Sequence, residues 1–436
     1  MIHARSASKT ETASKTMTWL SSRFELSRGG GANNIRPMEG LRGFAALLVF
    51  VAHYVGFVKP FIDQSTGFAA AANAINPVGN SGVDLFFVLS GYLIYGSLIS
   101  RSQAFTQFMS RRITRIYPVF IVMFLIYVPL SLLFPSESKI PTSAGEAVGF
   151  LLGNFFLLAG LFPITVMISV AWSLSYEMFY YTVIPVVISA FRLRQQSAGW
   201  RIGFFAALAL AVTGYCAVYG GQPRLMMFIA GILLYEAIHS LHLRAPGSLL
   251  TVVIVAAGLS AQLLPGTTSM DNTLQVVSLF VSFFTLCFCC FANSGAWLRS
   301  AFEWTPLRWF GNMSFSFYMV HALAMQFAVL VLTKVLPISS GYGPLLFWML
   351  MPALFITGLF PAVCMYLLVE RPFSLKKPVK AQADEGPAEL PKPTLAPTRA
   401  PFAPSLVRAQ KHSKTRNIFV EHRRNSEQRD VDRDRR

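Results

Sequence analysis

Residues 116–134 read IYPVFIVMFLIYVPLSLLF, nineteen positions without a charge. A helix of that length covers roughly 28 Å, close to the ~30 Å hydrocarbon core of a bilayer. The five residues before it, 111–115, read RRITR, a basic stop at one face of the membrane. The same texture recurs on both sides of this stretch. Apolar runs of spanning length cover 41–58, 79–100, 170–191, 202–219, 224–238, 247–264, 273–292, 311–335 and 343–369. The pattern predicts an all-α, polytopic integral membrane bundle of about ten transmembrane helices.

Composition agrees. The 436-residue chain is 54% hydrophobic and 13% charged, against about 25% charged for a soluble domain. Only 14 basic and 9 acidic residues serve the 328 positions of 43–370. Ordinary soluble, fibrous and wholly disordered classes are excluded. The net charge of +17 resides largely in the two polar ends, which suits anionic lipid better than nucleic acid. Residues 1–35 read as a polar cytoplasmic segment, 36–375 as the membrane domain and 376–436 as a disordered, basic cytoplasmic tail. No cleavable leader is expected, since 1–34 lack an apolar core. Cys216, Cys287, Cys289, Cys290 and Cys364 lie in apolar runs without metal-site or disulfide spacing, and read as packing residues.

One further run, 144–161, is interrupted by Gly145, Glu146, Gly149, Gly153, Asn154 and Gly160. The loop 101–115 carries Arg101, Arg111, Arg112 and Arg115, and the loop 192–201 carries Arg192, Arg194 and Arg201. Positive loops favour the cytoplasm, and both can lie there only if 144–161 does not cross. That segment is therefore expected to be re-entrant or interfacial, with both termini cytoplasmic.

Ionisable groups within spans are costly and mark function by default. His53, Asp84, Glu177 and His321 come from four different spans, at depths of about 18, 22, 20 and 15 Å above the cytoplasmic face. They predict a polar layer in the middle-to-outer membrane. A basic layer, Arg42 with Arg111, Arg112 and Arg115, lies nearer the cytoplasm. Lysine would satisfy topology, whereas arginine adds a planar fork suited to phosphate or carboxylate. Plainer roles stand beside these. Arg42 can pair with Glu39, Glu370 with Arg371 at a helix end, and Trp172 and Trp309 can anchor at the interface. Glu236 sits in no motif.

Six segments then resemble one family in order. They are R-P-M-E-G-L-R-G-F-A-A-L-L-V-F-V-A-H at 36–53, with ten residues between Arg42 and His53; G-V-D-L-F-F-V-L-S-G-Y-L-I at 82–94; R-R-I-T-R-I-Y-P at 111–118; W-S-L-S-Y-E-M-F-Y at 172–180; G-N-M-S-F-S-F-Y-M-V-H at 311–321; and V-E-R-P at 369–372. Together they are similar to the family-three membrane acyltransferases. The resemblance implies a bacterial inner-membrane enzyme moving an acetyl or other short acyl group from acyl-CoA to a hydroxyl of a surface or exported glycan or glycolipid. No permanently bound cofactor or metal is implied; acetyl-CoA is the donor substrate. Some members carry a fused extracytoplasmic domain, and the polar tail here departs from that form.

On this reading Arg42, Arg111, Arg112 and Arg115 bind the CoA phosphates, and His53 takes the hydroxyl proton or carries the acyl group. Asp84 or Glu177 would fix the imidazole tautomer. His321, Ser173, Ser175 or a backbone amide would support the oxyanion. A proton-coupled secondary transporter is the alternative, since membrane histidines and carboxylates also form proton relays.

Overall fold

A computed structural model describes residues 18–26, 36–241, 243–336 and 342–375. The described residues are mainly helical, joined by loops such as 156–171, with one isolated bridge between Ile62 and Tyr342. The helices are α1 (Arg36–Val58), α2 (Gly67–Ile99), α3 (Phe105–Leu133), α4 (Ala144–Phe155), α5 (Trp172–Ala190), α6 (Ala198–Tyr219), α7 (Met226–His239), α8 (Ser248–Ala261), α9 (Ser269–Ala292), α10 (Trp297–Phe302), α11 (Thr305–Asn312), α12 (Ser314–Val335) and α13 (Pro344–Met365). The last runs on into a π-helical stretch, Tyr366–Ser374.

Seven of the described helical segments are long and apolar enough to cross a membrane. The expected spans 170–191, 224–238 and 247–264 are helical too, but shorter or more polar than those seven. The segment α4 has 12 residues, about 18 Å of rise, too little for a crossing. After it the chain turns at Leu157, φ 56°. The Arg194 guanidinium donates to the carbonyls of Leu98 and Arg101 at 2.7–3.4 Å, so the two basic loops share one end of the bundle. The polar ends 1–17, 27–35 and 376–436 lie outside the described residues.

Close helix approach fixes the centre. Small residues let membrane helices meet where lipid supplies no hydrophobic drive. A Cβ at Gly82 of α2 would lie 2.4 Å from the Ala45 carbonyl oxygen of α1, and one at Gly91 would lie 2.1 Å from that of Phe228 in α7. Thus α2 is clamped between α1 and α7. Pro77, Pro118, Pro185 and Pro361 sit inside helices, which packing between membrane helices tolerates.

The described N-terminal stretch is docked at the basic end. The Phe24 ring stacks on Tyr366 at 5.6 Å, and Asn312 donates to the Phe24 carbonyl at 3.0 Å. The Glu25 carboxylate accepts from Trp309 at 2.9 Å and pairs with Arg308.

Candidate active site

Helix α1 carries both Arg42 and His53, and α12 brings His321 against the latter. The two imidazole rings meet edge to face, centroids 4.9 Å apart. His321 is fully buried, and the Phe317 ring stacks on it at 5.0 Å. His53 Nδ1 lies 3.0 Å from the Val49 carbonyl, one helical turn back. His321 Nδ1 lies 2.8 and 2.9 Å from the carbonyls of Phe317 and Tyr318. A carbonyl only accepts, so in each neutral ring Nδ1 carries the proton and Nε2 keeps its lone pair. The buried Nε2 of His321 has no hydrogen-bond partner among the described residues.

Toward the basic end a cavity of about 390 Å³ opens between α1, α2, α3, α5 and α12. Arg42, Arg112, Arg115, Glu177, Ser90 and Tyr318 are among its walls. Arg42 donates to Ser314 at 3.3 Å and lies 5.9 Å over the Phe86 ring. The Arg112 guanidinium sits between the rings of Phe108 and Tyr181, at 5.0 and 5.3 Å, and donates to Ser97. Its Nε is buried without a hydrogen-bond partner among the described residues. Arg115 pairs at 2.8 Å with Glu370, whose other oxygen accepts from the Ser316 amide and hydroxyl. The π turn, with Pro372 inside it, widens the helix and presents Glu370 inward. Tyr318 joins cavity and imidazoles: it lines the cavity, and its ring lies 6.2 Å from that of His321.

The structure thus brings together His53 with His321, and Arg42 with Arg112 and Arg115. Arg111 lies apart from this cavity; it hydrogen-bonds Gln103 and lines a neighbouring hollow. Glu177 faces the cavity and accepts from Ser90 and Tyr181 at 3.2 and 2.6 Å. Asp84 is fully buried, with Arg224 at 3.8 Å as its ionic neighbour. The contact to His53 Nδ1 comes from the Val49 carbonyl, whereas Asp84 meets Arg224 and Glu177 meets Ser90 and Tyr181. Glu39 pairs with Arg308 at 2.9 Å, not with Arg42. Glu370 turns to Arg115, while Arg371 donates to the Ser22 carbonyl. Ser173 is bonded to Tyr318, and Ser175 accepts from the Gly160 amide. Ser90, Tyr181 and Tyr318 were not singled out from the sequence. Ser90 and Tyr318 lie within quoted motif segments, which was the available signal.

Comparison with known proteins completes the description. Residues 36–367 match the family described as "Acyltransferase domain". The chain is similar to "Acyltransferase MdmB" of Streptomyces mycarofaciens, 26% identical over 396 residues, covering 82% of this chain and 97% of that protein. It is also similar to "Putative peptidoglycan O-acetyltransferase YrhL" of Bacillus subtilis, 25% identical across 78% of this chain and 54% of that one. "Peptidoglycan O-acetyltransferase OatA" of Listeria monocytogenes is 24% identical across 66% of this chain and 49% of that one. The chain therefore spans about half the length of both peptidoglycan enzymes. No solved structure matches. With the match covering residues 36–367, which include the arginine and histidine layers, the chain belongs to the acyltransferase-three family and is a multi-pass membrane acyltransferase.

Proposed function

We propose that the protein moves an acetyl or similar short acyl group from acyl-CoA to a hydroxyl of a surface or exported glycan or glycolipid. The carrying observation is the arrangement of two layers in one bundle: an arginine-lined cavity and, beyond Tyr318, an imidazole pair. Acyl-CoA is a cytoplasmic polyanion, and Arg42, Arg112 and Arg115 suit its phosphates. The names of the peptidoglycan O-acetyltransferases support O-acyl transfer to a carbohydrate. The membrane is the bacterial inner membrane, with the basic end cytoplasmic by the positive-inside bias.

The acceptor hydroxyl gives its proton to Nε2 of His53 as its oxygen bonds to the thioester carbonyl carbon. The carbon–sulfur bond breaks, and the CoA thiolate leaves with the proton returned by the imidazolium. The second route, an acyl-imidazole on His53 Nε2, uses the same lone pair. His321 supports the His53 ring from the side; its Nδ1–H is already committed to carbonyls. Acceptor-dependent release of CoA by purified full-length protein, with an ester appearing on the glycan, tests the reading. Proton-coupled uptake of a solute with the thioester left intact would replace it by the transporter alternative.

A further inference from the structure

Beside the arginine-lined cavity lies a second hollow of about 370 Å³, and Leu93, Ser97 and Arg112 line both. Its other walls combine two chemistries. Arg101 and Arg111 join Arg112 in supplying three guanidinium groups, and among the described residues none of its walls is a carboxylate. Opposite them Tyr92, Tyr235 and His239 form an aromatic shelf. The Tyr235 and His239 rings stack at 4.1 Å and 15°, and Tyr92 lies 5.5 Å from Tyr235. The shelf is braced. His239 Nδ1 bonds the Tyr235 carbonyl at 3.0 Å. Helix α2 passes so close that a Cβ at Gly96 would lie 2.5 Å from the Tyr235 ring.

Three like charges around one hollow repel one another, and a polyanion relieves that repulsion. Planar forks match phosphate oxygens, and aromatic faces take a nucleobase. The volume lies within the range of ligand pockets. We propose that this second hollow is the nucleotide subsite of the acyl donor. The adenine rests on the Tyr235–His239 stack, and the ribose 3′-phosphate lies between Arg101 and Arg111. Arg112, shared by both hollows, takes the pyrophosphate at their junction, from which the pantetheine arm runs into the first cavity toward the imidazoles. The proposal rests on the acyl-CoA reading above and adds to it which residues read the nucleotide.

The test is donor discrimination by the full-length protein in detergent or vesicles. His239 and Arg101 are exposed, so His239→Ala and Arg101→Gln leave the core intact. The ratio of kcat/KM for acetyl-CoA over S-acetyl-pantetheine, which lacks the nucleotide, is expected to fall about tenfold in His239→Ala. The ratio of acetyl-CoA over its 3′-dephospho analogue is expected to fall in Arg101→Gln. Ratios cancel differences in folded yield. Both ratios staying at their wild-type values overturns the proposal. A wild-type protein that releases no CoA from any thioester instead sinks the acyl-CoA reading. The subsite is then judged on binding of adenosine 3′,5′-bisphosphate alone. Binding weakened about tenfold by His239→Ala supports it, and no binding by the wild type overturns it.

Discussion

Arg115 of α3 and Glu370 of the π-helical turn form an ion pair at 2.8 Å, with Glu370 fully buried. The pair holds one of the three cavity arginines by a residue 255 positions later in the chain.

Removing one member leaves the other charge without its partner. Glu370→Ala is expected to lower stability by about 1–3 kcal/mol, since it takes the acceptor from the buried Ser316 amide and hydroxyl as well as the partner from Arg115. Replacing both by methionine restores packing without charge, so Arg115→Met with Glu370→Met should recover much of that stability yet still show weak use of acetyl-CoA. Thermal unfolding in detergent and the donor KM read the two effects separately. Donor use returning to normal in the double variant would take Arg115 out of the binding site.

His53 is the sharpest target in the imidazole layer. If its Nε2 accepts the hydroxyl proton, His53→Ala and His53→Gln should each lose about 10²–10⁴-fold in acyl transfer. Protein level and donor binding should hold, since the arginines lie on other positions. Near-normal transfer by a well-expressed His53→Gln would move the base to His321.

Arg112 lies between Phe108 and Tyr181. Arg112→Lys keeps the charge and the topology signal but loses the planar fork and the stacking. An increased donor KM with normal membrane insertion is expected. An unchanged KM would leave Arg112 as a topological anchor.

Labelling of single cysteines checks orientation. With the basic end cytoplasmic, an impermeant reagent applied outside should miss cysteines placed at Phe105 and Gln196 and reach those placed at Ser138 and Thr268. Labelling of position 105 and position 196 together would invert the whole bundle. Labelling of 196 alone would contradict the contacts of Arg194 with Leu98 and Arg101.

The docked N-terminal stretch carries a pH dependence of its own. Burial pushes the Glu25 carboxyl up, but hydrogen bonds from Trp309 and Arg308 outweigh it, so its pKa falls below the ordinary value. A depressed carboxylate stabilises the folded state above its unfolded pKa, and that contribution is lost as pH falls through the folded one. Protection of the amides at residues 18–26, measured against their intrinsic exchange rates at each pH, should therefore fall on acidification below the usual glutamate range. Glu25→Gln should show raised exchange at neutral pH and a flatter profile. A profile identical to the wild type would detach Glu25 from the docking.

The sequence made legible whatever depends on distance along one helix. Hydropathy marked the helices, and a rise of 1.5 Å per residue set His53 and His321 near one level, where their rings meet. Loop charge set 101–115 and 192–201 on one side, as the Arg194 contacts show. Lateral partners were not legible, because they depend on which helix neighbours which. Glu39 has Arg42 three residues away yet pairs with Arg308, 269 positions on. Asp84 belongs to α2 and Glu177 to α5; the first faces Arg224 and the second the cavity, a difference that position along either helix does not fix. Glu236, without a motif, lies in a dense polar network with Arg201, Tyr95 and Ser240.

The contact of Phe24 with Tyr366 has a consequence for biosynthesis. The N-terminal stretch leaves the ribosome before any span, but its stacking partner and the Arg115 counter-ion arrive with the final turn. Until then Phe24 has no Tyr366 and Arg115 has no Glu370. A chain stalled before Tyr366 would hold its membrane helices while lacking both closures. Closure of the basic end thus waits for the π-helical turn to be made, after every membrane helix has been synthesised.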